Sequence, residues 1–285
     1  ILKSLVLFHS GKSAQIILNE SLSIIEILYY KGNFIQCMKE IHKAASIARS
    51  TELFSSLLKI IQYEKIVYNH LPKHKRTEAD IIQDLAAVNQ TQQNTIEYYR
   101  IYNEANQIRI KIVKTRNSKE IKLFDKLITH DLLRNDKAAL SIDAKIKFYQ
   151  IHAMWCYVHA DKKQELLHNK KIIQLFEGNP LYKEEHLVDY VNTYARIVSI
   201  SKDMSELLFF QALNNVRNIV LQSDKLYFLR VSAQIFNFSY MIELSMYLQK
   251  KQFTKAADII NEIENGLKKY KEILIPSYHI TFLYM

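Results

Sequence analysis

The sequence predicts an all-α protein, an α-α superhelix of about six stacked antiparallel helix hairpins, and three observations carry that prediction. Only 4 Gly and 3 Pro occur among 285 residues, far fewer than strands joined by tight hairpins require. Apolar residues recur at helical spacing along almost the whole chain. The polar corners then fall near Gly32, Lys73, Asn117, Asp161, Asp203 and Gln252, at steps of 41, 44, 44, 42 and 49 residues. A hairpin of that size cannot bury its apolar faces alone, so successive hairpins stack and share one continuous core.

The elements follow in order. Helices are expected over 12–31 and 34–48, 51–70 and 77–89, 92–115 and 118–133, 138–160 and 163–177, 181–201 and 204–221, and 225–250 and 253–272, with a further one near Pro276. Leu71 must leave the helical region because Pro72 follows it. Thr77 and Ser118 are N-cap residues with acid in the first turn, which the helix dipole favours. Gly178-Asn179-Pro180 stops one helix and restarts the next. The polar run Asn89–Thr95 reads either as a corner or as the exposed middle of one helix longer than thirty residues.

Composition narrows the class. With 48% hydrophobic and 24% charged residues the chain buries a sizeable core. Cys37 and Cys156 are too far apart for a disulfide framework or a zinc spacing, which fits a reducing, cytoplasmic setting. No apolar run reaches the length of a membrane span, so no membrane insertion is expected. The chain starts without Met and stops in mid-pattern, and it is expected to be a fragment of something longer, forming a single array over 1–285. The net charge of +10 is the first part of a nucleic-acid footprint, but the general richness in Ile, Lys, Asn and Tyr inflates lysine without any partner.

The first and last corners align residue by residue. Gly32-Asn-Phe-Ile-Gln-Cys-Met-Lys-Glu-Ile-His-Lys-Ala44 lies over Lys251-Gln-Phe-Thr-Lys-Ala-Ala-Asp-Ile-Ile-Asn-Glu-Ile263, with an aromatic, a small residue and an aliphatic in corresponding places. This pattern resembles the second helix of tetratricopeptide (TPR) repeats, with steps longer than that family's ~34 residues. The resemblance implies that Phe34 plugs its corner and Cys37 sits at the close helix contact. It is strongest at the two ends; the unit at Asp203 has Met204 and Leu207 but then Gln211, and the unit at Asp161 has Lys163 and Lys170 in apolar places.

Several constellations hold residue types that chemistry uses. Ser10-Gly11-Lys12-Ser13 looks like the end of a phosphate-binding loop, but Val6 stands where that loop needs its other glycine, so it reads as a helix-capping corner. His152, Cys156 and His159 share one helical face in a metal-like array, without a second ligand pair in the sequence. Glu184, Glu185, His186 and Asp189 gather acid and imidazole at a helix start, without a nucleophile or oxyanion hole. Arg109, Lys111, Lys114, Arg116, Lys119 and Lys122 form the densest basic run, and Lys73, His74, Lys75 and Arg76 another; Glu78, Asp80, Glu120 and Asp125 interrupt them. No catalytic, cofactor or metal site is assigned.

The TPR resemblance implies one more set of positions, because first helices of that family line a groove that grips peptides or partner helices. Carried over, it marks Asn103 and Asn106, then Gln150 and Tyr157, then Asp189, Asn192, Arg196 and Ser199, with Tyr98, Tyr99, Tyr102, Tyr190 and Tyr194 nearby. Asn pairs with backbone and Arg with carboxylate. The expected function is a non-enzymatic protein- or peptide-binding scaffold. The alternatives are a regulatory or sensor module of a larger signalling or transcriptional protein, and a basic solenoid that binds nucleic acid.

Overall fold

The structure is a computed structural model that describes residues 13–71, 76–115, 118–219 and 226–274. These residues are helical apart from corners, with no strand among them. The helices are α1 (Ala14–Tyr30), α2 (Phe34–Ser50), α3 (Phe54–Tyr68), α4 (Glu78–Thr115), α5 (Ser118–Leu127), α6 (Ile142–Val158), α7 (Lys162–Glu177), α8 (Pro180–Glu185), α9 (Leu187–Lys202), α10 (Glu206–Asn218), α11 (Leu226–Gln249), α12 (Phe253–Asp258) and α13 (Ile260–Lys269). The chain divides into two compact units, one of Ile1–Val158 with Leu175–Glu185, the other of His159–Gln174 with His186–Met285.

In the first unit α1 and α2 run antiparallel, with Ser21 donating to Glu40 (2.7 Å) and the Cys37 thiol meeting the Ile25 carbonyl (3.5 Å). Leu18, Ile25, Cys37, Ile41, Ala44, Leu57, Ile60, Ile61 and Ile81 close one shared core. Each large aliphatic there contributes on the order of 1.5–3 kcal/mol on burial. Cys37 is wholly buried and burial pushes its thiol up, so it packs as a small apolar side chain. Phe34 stacks on His70, centroids 4.3 Å apart, at the end of the hairpin.

The corner after α1 shows why glycine stands at 32. Gly32 has φ +69°; its N–H donates to the Tyr29 carbonyl and that of Asn33 to the Leu28 carbonyl, both 3.0 Å. This double bond pattern closes a helix through a left-handed residue. The same pattern recurs with side-chain-bearing residues, at Glu52 (φ 55°) after α2 and at Lys251 (φ 56°) after α11. Gly32 and Lys251, aligned in the sequence, therefore make the same turn. Their aromatics differ in environment: Phe34 is half-buried, whereas Phe253 is 64% exposed.

The main departure from expectation is α4, which continues without a break where a corner was one reading of Asn89–Thr95. That run holds no Gly or Pro. Thr91 and Thr95 donate their hydroxyls to the carbonyls one turn back (2.9 Å each). Ile81, Val88, Thr95 and Tyr98 keep a buried stripe running through it. The polar side chains belong to packing: the Asn94 amide donates to Ala138 O (3.1 Å) and accepts from Leu140 N (3.0 Å), and Thr95 and Ser141 share a buried hydroxyl bond (2.8 Å). Other boundaries move less. The helix expected over 118–133 ends at Leu127, and 3₁₀ turns at Asp131–Leu133 and Asp136–Ala138 precede α6. The helices expected over 181–201 and 253–272 are each split, at His186 and Ile259. The helix near Pro276 lies outside the described residues.

Two carboxylates tie distant segments of the first unit. Glu52 accepts from the N–H groups of Ile142 (2.6 Å) and Asp143 (3.0 Å) at the start of α6, and Glu185 accepts from Ala14 N (2.6 Å) at the start of α1. Free amides at a helix start are the groups that favour an anion. Between α3 and α4, Arg76 clamps the buried Glu64 through both carboxylate oxygens (3.2 and 3.1 Å) and reaches Asp84 (2.9 Å).

In the second unit, Arg217 of α10 donates to the buried Glu243 (2.6 Å) and to Ser239 (3.2 Å) of α11, and its guanidinium lies over the Tyr240 ring. Tyr247 donates to the other Glu243 oxygen (3.1 Å). Gly266 of α13 permits a close approach to α11, because a Cβ there would stand 1.9 Å from the Phe236 ring.

The sequence step reappears as a bond length in residues. Gln15 bonds Ser56, 41 positions on, and Asn94 bonds Ala138, 44 on. In the second unit Lys162 bonds Asp203, 41 on, Lys202 bonds Ser245, 43 on, and Glu206 bonds Lys250, 44 on. Elements one step apart are thus neighbours in both units.

Candidate functional site: two polar helix faces

In the second unit, Asp189, Asn192, Arg196 and Ser199 all lie exposed on α9. Leu187, Tyr190, Val191, Ile197, Val198 and Ile200 of the same helix are buried. The spacing of the four polar residues produces one stripe on a 3.6-residue helix. Ser199 returns its hydroxyl to Ala195 O (3.0 Å) and Asp189 stands 3.9 Å from His186. Arg196 is exposed, and its planar donor fork lies within electrostatic reach of Glu165.

Beside this stripe α7 contributes two residues that the sequence reading missed. Glu165 is half-buried, and burial pushes its carboxyl from the ordinary 4.5 up to about 7, against the attraction of Arg196 and Lys162. Asn169, 1% exposed, donates to Glu165 O (2.8 Å), while its own Oδ1 is buried without a partner among the described residues. The signal was present: Asn169 occupies an apolar place in the series Leu166, Ile173 and Phe176. The lysines expected to breach this helix's core, Lys163 and Lys170, point outward.

The first unit carries the other four positions. Thr95–Ser141 and the approach of Lys147 to Tyr99 and Tyr102 show α6 running alongside α4 in the same direction. The Lys147 ammonium lies 4.7 Å from the Tyr99 ring centre and 4.8 Å from that of Tyr102, and it donates to Gln150 (3.3 Å). Asn103 is exposed. Asn106 accepts two bonds from Arg109 (3.3 and 2.9 Å). Tyr157 is 50% exposed. Gln150 departs from the expected open stripe: it is 6% exposed, because α6 turns that face against its neighbours and Lys147 occupies its amide oxygen. Tyr98 and Tyr190 are buried as well; Tyr98 donates to Leu132 O.

The eight positions that the resemblance marks therefore fall into two sets, Asn103, Asn106, Gln150 and Tyr157 in one unit, Asp189, Asn192, Arg196 and Ser199 in the other.

The remaining constellations resolve into structure. His152 meets Leu133 O (3.1 Å) and packs on Phe148, and Cys156 is buried. No group of three His, Cys, Asp or Glu side chains placed to hold a metal occurs among the described residues. Of the phosphate-loop-like Ser10–Ser13, only Ser13 is described, and it is the N-cap residue of α1. Glu185 caps α1 and His186 opens α9. Lys73, His74, Lys75 and Arg116 lie outside the described residues, and no described helix is long and apolar enough to cross a membrane. No protein-family model matches the chain, and no curated protein or solved structure is significantly similar to it.

Proposed function

We propose that the chain is a non-enzymatic module that binds a protein or peptide partner, its hairpins stacked in a TPR-like superhelix and its first helices presenting the recognition residues. The α9 stripe carries this reading. An exposed row of Asp189, Asn192, Arg196 and Ser199 offers amide, guanidinium and carboxylate groups at one helical repeat. Such a row suits the alternating backbone and side-chain groups of an extended peptide. Support for the stacking comes from the recurring bonds 41 to 44 positions apart and from the shared turn at Gly32 and Lys251.

The test is a selection of displayed random peptides on the whole chain, followed by binding of the winners to the Asn192→Ala/Arg196→Ala double variant. Both side chains are exposed, so the variant should fold with an unchanged circular dichroism spectrum. Loss of an Asn amide and an Arg fork that contact the partner should weaken binding at least about tenfold, at roughly 0.5–1.5 kcal/mol for a neutral amide bond and 1.5–3 kcal/mol for a bond to the charged fork. Peptides that bind wild type and variant equally would remove α9 from the reading.

A further inference from the structure

In the basic run that the sequence shows as diluted by acid, the lysines are exposed and the acids only partly so. Lys111 and Lys114 lie exposed one turn apart at the end of α4, and Lys119, Lys122 and Lys126 form an exposed row along α5. The two acids among them are only partly exposed. Asp125 accepts from the Trp155 indole N–H (2.9 Å), and one oxygen of Glu120 is buried. Between Glu104 and Asp131 no carboxylate residue is exposed among the described residues. Folding therefore leaves the lysines of this hairpin more exposed than its acids.

We propose that the α4–α5 hairpin is a docking surface for the sugar-phosphate backbone of a nucleic-acid duplex, gripped by Lys114, Lys122 and Lys126 without base recognition. Helical rise places Lys119, Lys122 and Lys126 about 4.5 and 6 Å apart along the axis, the same order as the ~3.4 Å axial spacing of charges on one strand. Lysines in rows neutralise successive phosphates and release counterions, which needs no built pocket. A lipid surface suits the hairpin less well. Its exposed apolar residues, Val113 and Leu123, are single and on different helices, with no apolar stripe to enter the headgroups. No aromatic residue of α5 is exposed among the lysines, so stacking on single-stranded bases has no platform there.

The experiment measures anisotropy of a fluorescent mixed-sequence duplex with the whole chain over a series of salt concentrations. The Lys114→Gln/Lys122→Gln/Lys126→Gln variant is compared with a Lys39→Gln/Lys59→Gln/Lys65→Gln variant, which loses the same charge at exposed sites elsewhere. Circular dichroism confirms that both remain folded. The expected result is binding whose log–log salt slope falls by about one for each hairpin lysine removed, with affinity down at least tenfold, while the control variant keeps nearly the wild-type slope. Equal loss in both variants would mean attraction by net charge alone and overturn the proposal. Failure to bind duplex would also overturn it, as would binding to phosphatidylserine vesicles or to polyglutamate in preference to duplex.

Discussion

At the scale of single residues, Glu165 shows how burial changes chemistry that sequence alone assigns by default. Its carboxyl titrates near 7 in the folded chain instead of the ordinary 4.5. The folded state thus holds a proton that the unfolded state has already released between those values. Stability must fall as pH rises from the ordinary glutamate range through 7, and the cost of the buried charge is fully present above it. Glu165→Gln should remove that segment of the pH dependence, leaving the variant relatively more stable above neutrality. Chemical denaturation at pH 5 and pH 8 checks this; an unchanged difference between the two would show that Glu165 is solvated. The position was legible only in part. The TPR resemblance marked Asp189, Asn192, Arg196 and Ser199, which lie exposed on α9, but nothing in the sequence weighs how much water α7 leaves around Glu165. Gln150 illustrates the converse, since a polar residue at groove spacing became buried once Lys147 supplied a donor for it.

At the scale of elements, α4 marks where local reading reached its limit. Corners with a covalent signature were legible: Gly32 needs a positive φ, and Pro180 opens α8. The polar run at Asn89–Thr95 carries no such signature, and helix continuity there depends on partners more than forty residues away. Asn94 and Thr95 find theirs at Ala138, Leu140 and Ser141, which no window of neighbouring sequence contains. The 3₁₀ turns before α6 combine local caps from His130 and Asn135 with tertiary bonds to the carbonyls of Leu132, Leu133 and Ala138. Gln93→Pro tests the continuous helix directly. Exposed Gln93 contributes little by itself, but proline there removes a backbone bond and displaces the residue before it, at a cost of about 3 kcal/mol in a helix interior. Equilibrium unfolding should record a loss of that order; a loss below about 1 kcal/mol would instead indicate a corner.

At the scale of the whole molecule, the first unit is discontinuous in sequence, because the chain leaves it after Val158 and rejoins it from Leu175 to Glu185. The bond from Ala14 N to Glu185 spans 171 positions, against 41 for the bond from Gln15 to Ser56. Closing the longer loop costs about 1.3 kcal/mol more in chain entropy by the logarithmic rule. That difference sets an order of assembly. Hairpins and their one-step bonds come together first, and the Glu185 carboxylate reaches α1 only after the intervening chain has folded. In pulse-labelled hydrogen exchange during refolding, the Ala14 amide should gain protection later than the Cys37 amide inside α2; simultaneous protection would contradict this order. On the ribosome the consequence is sharper still. In the first unit α1 lacks the Glu185 carboxylate at its start until the ribosome has added residue 185, so completion of the unit is timed by a segment translated after residues 159–174, which belong to the second.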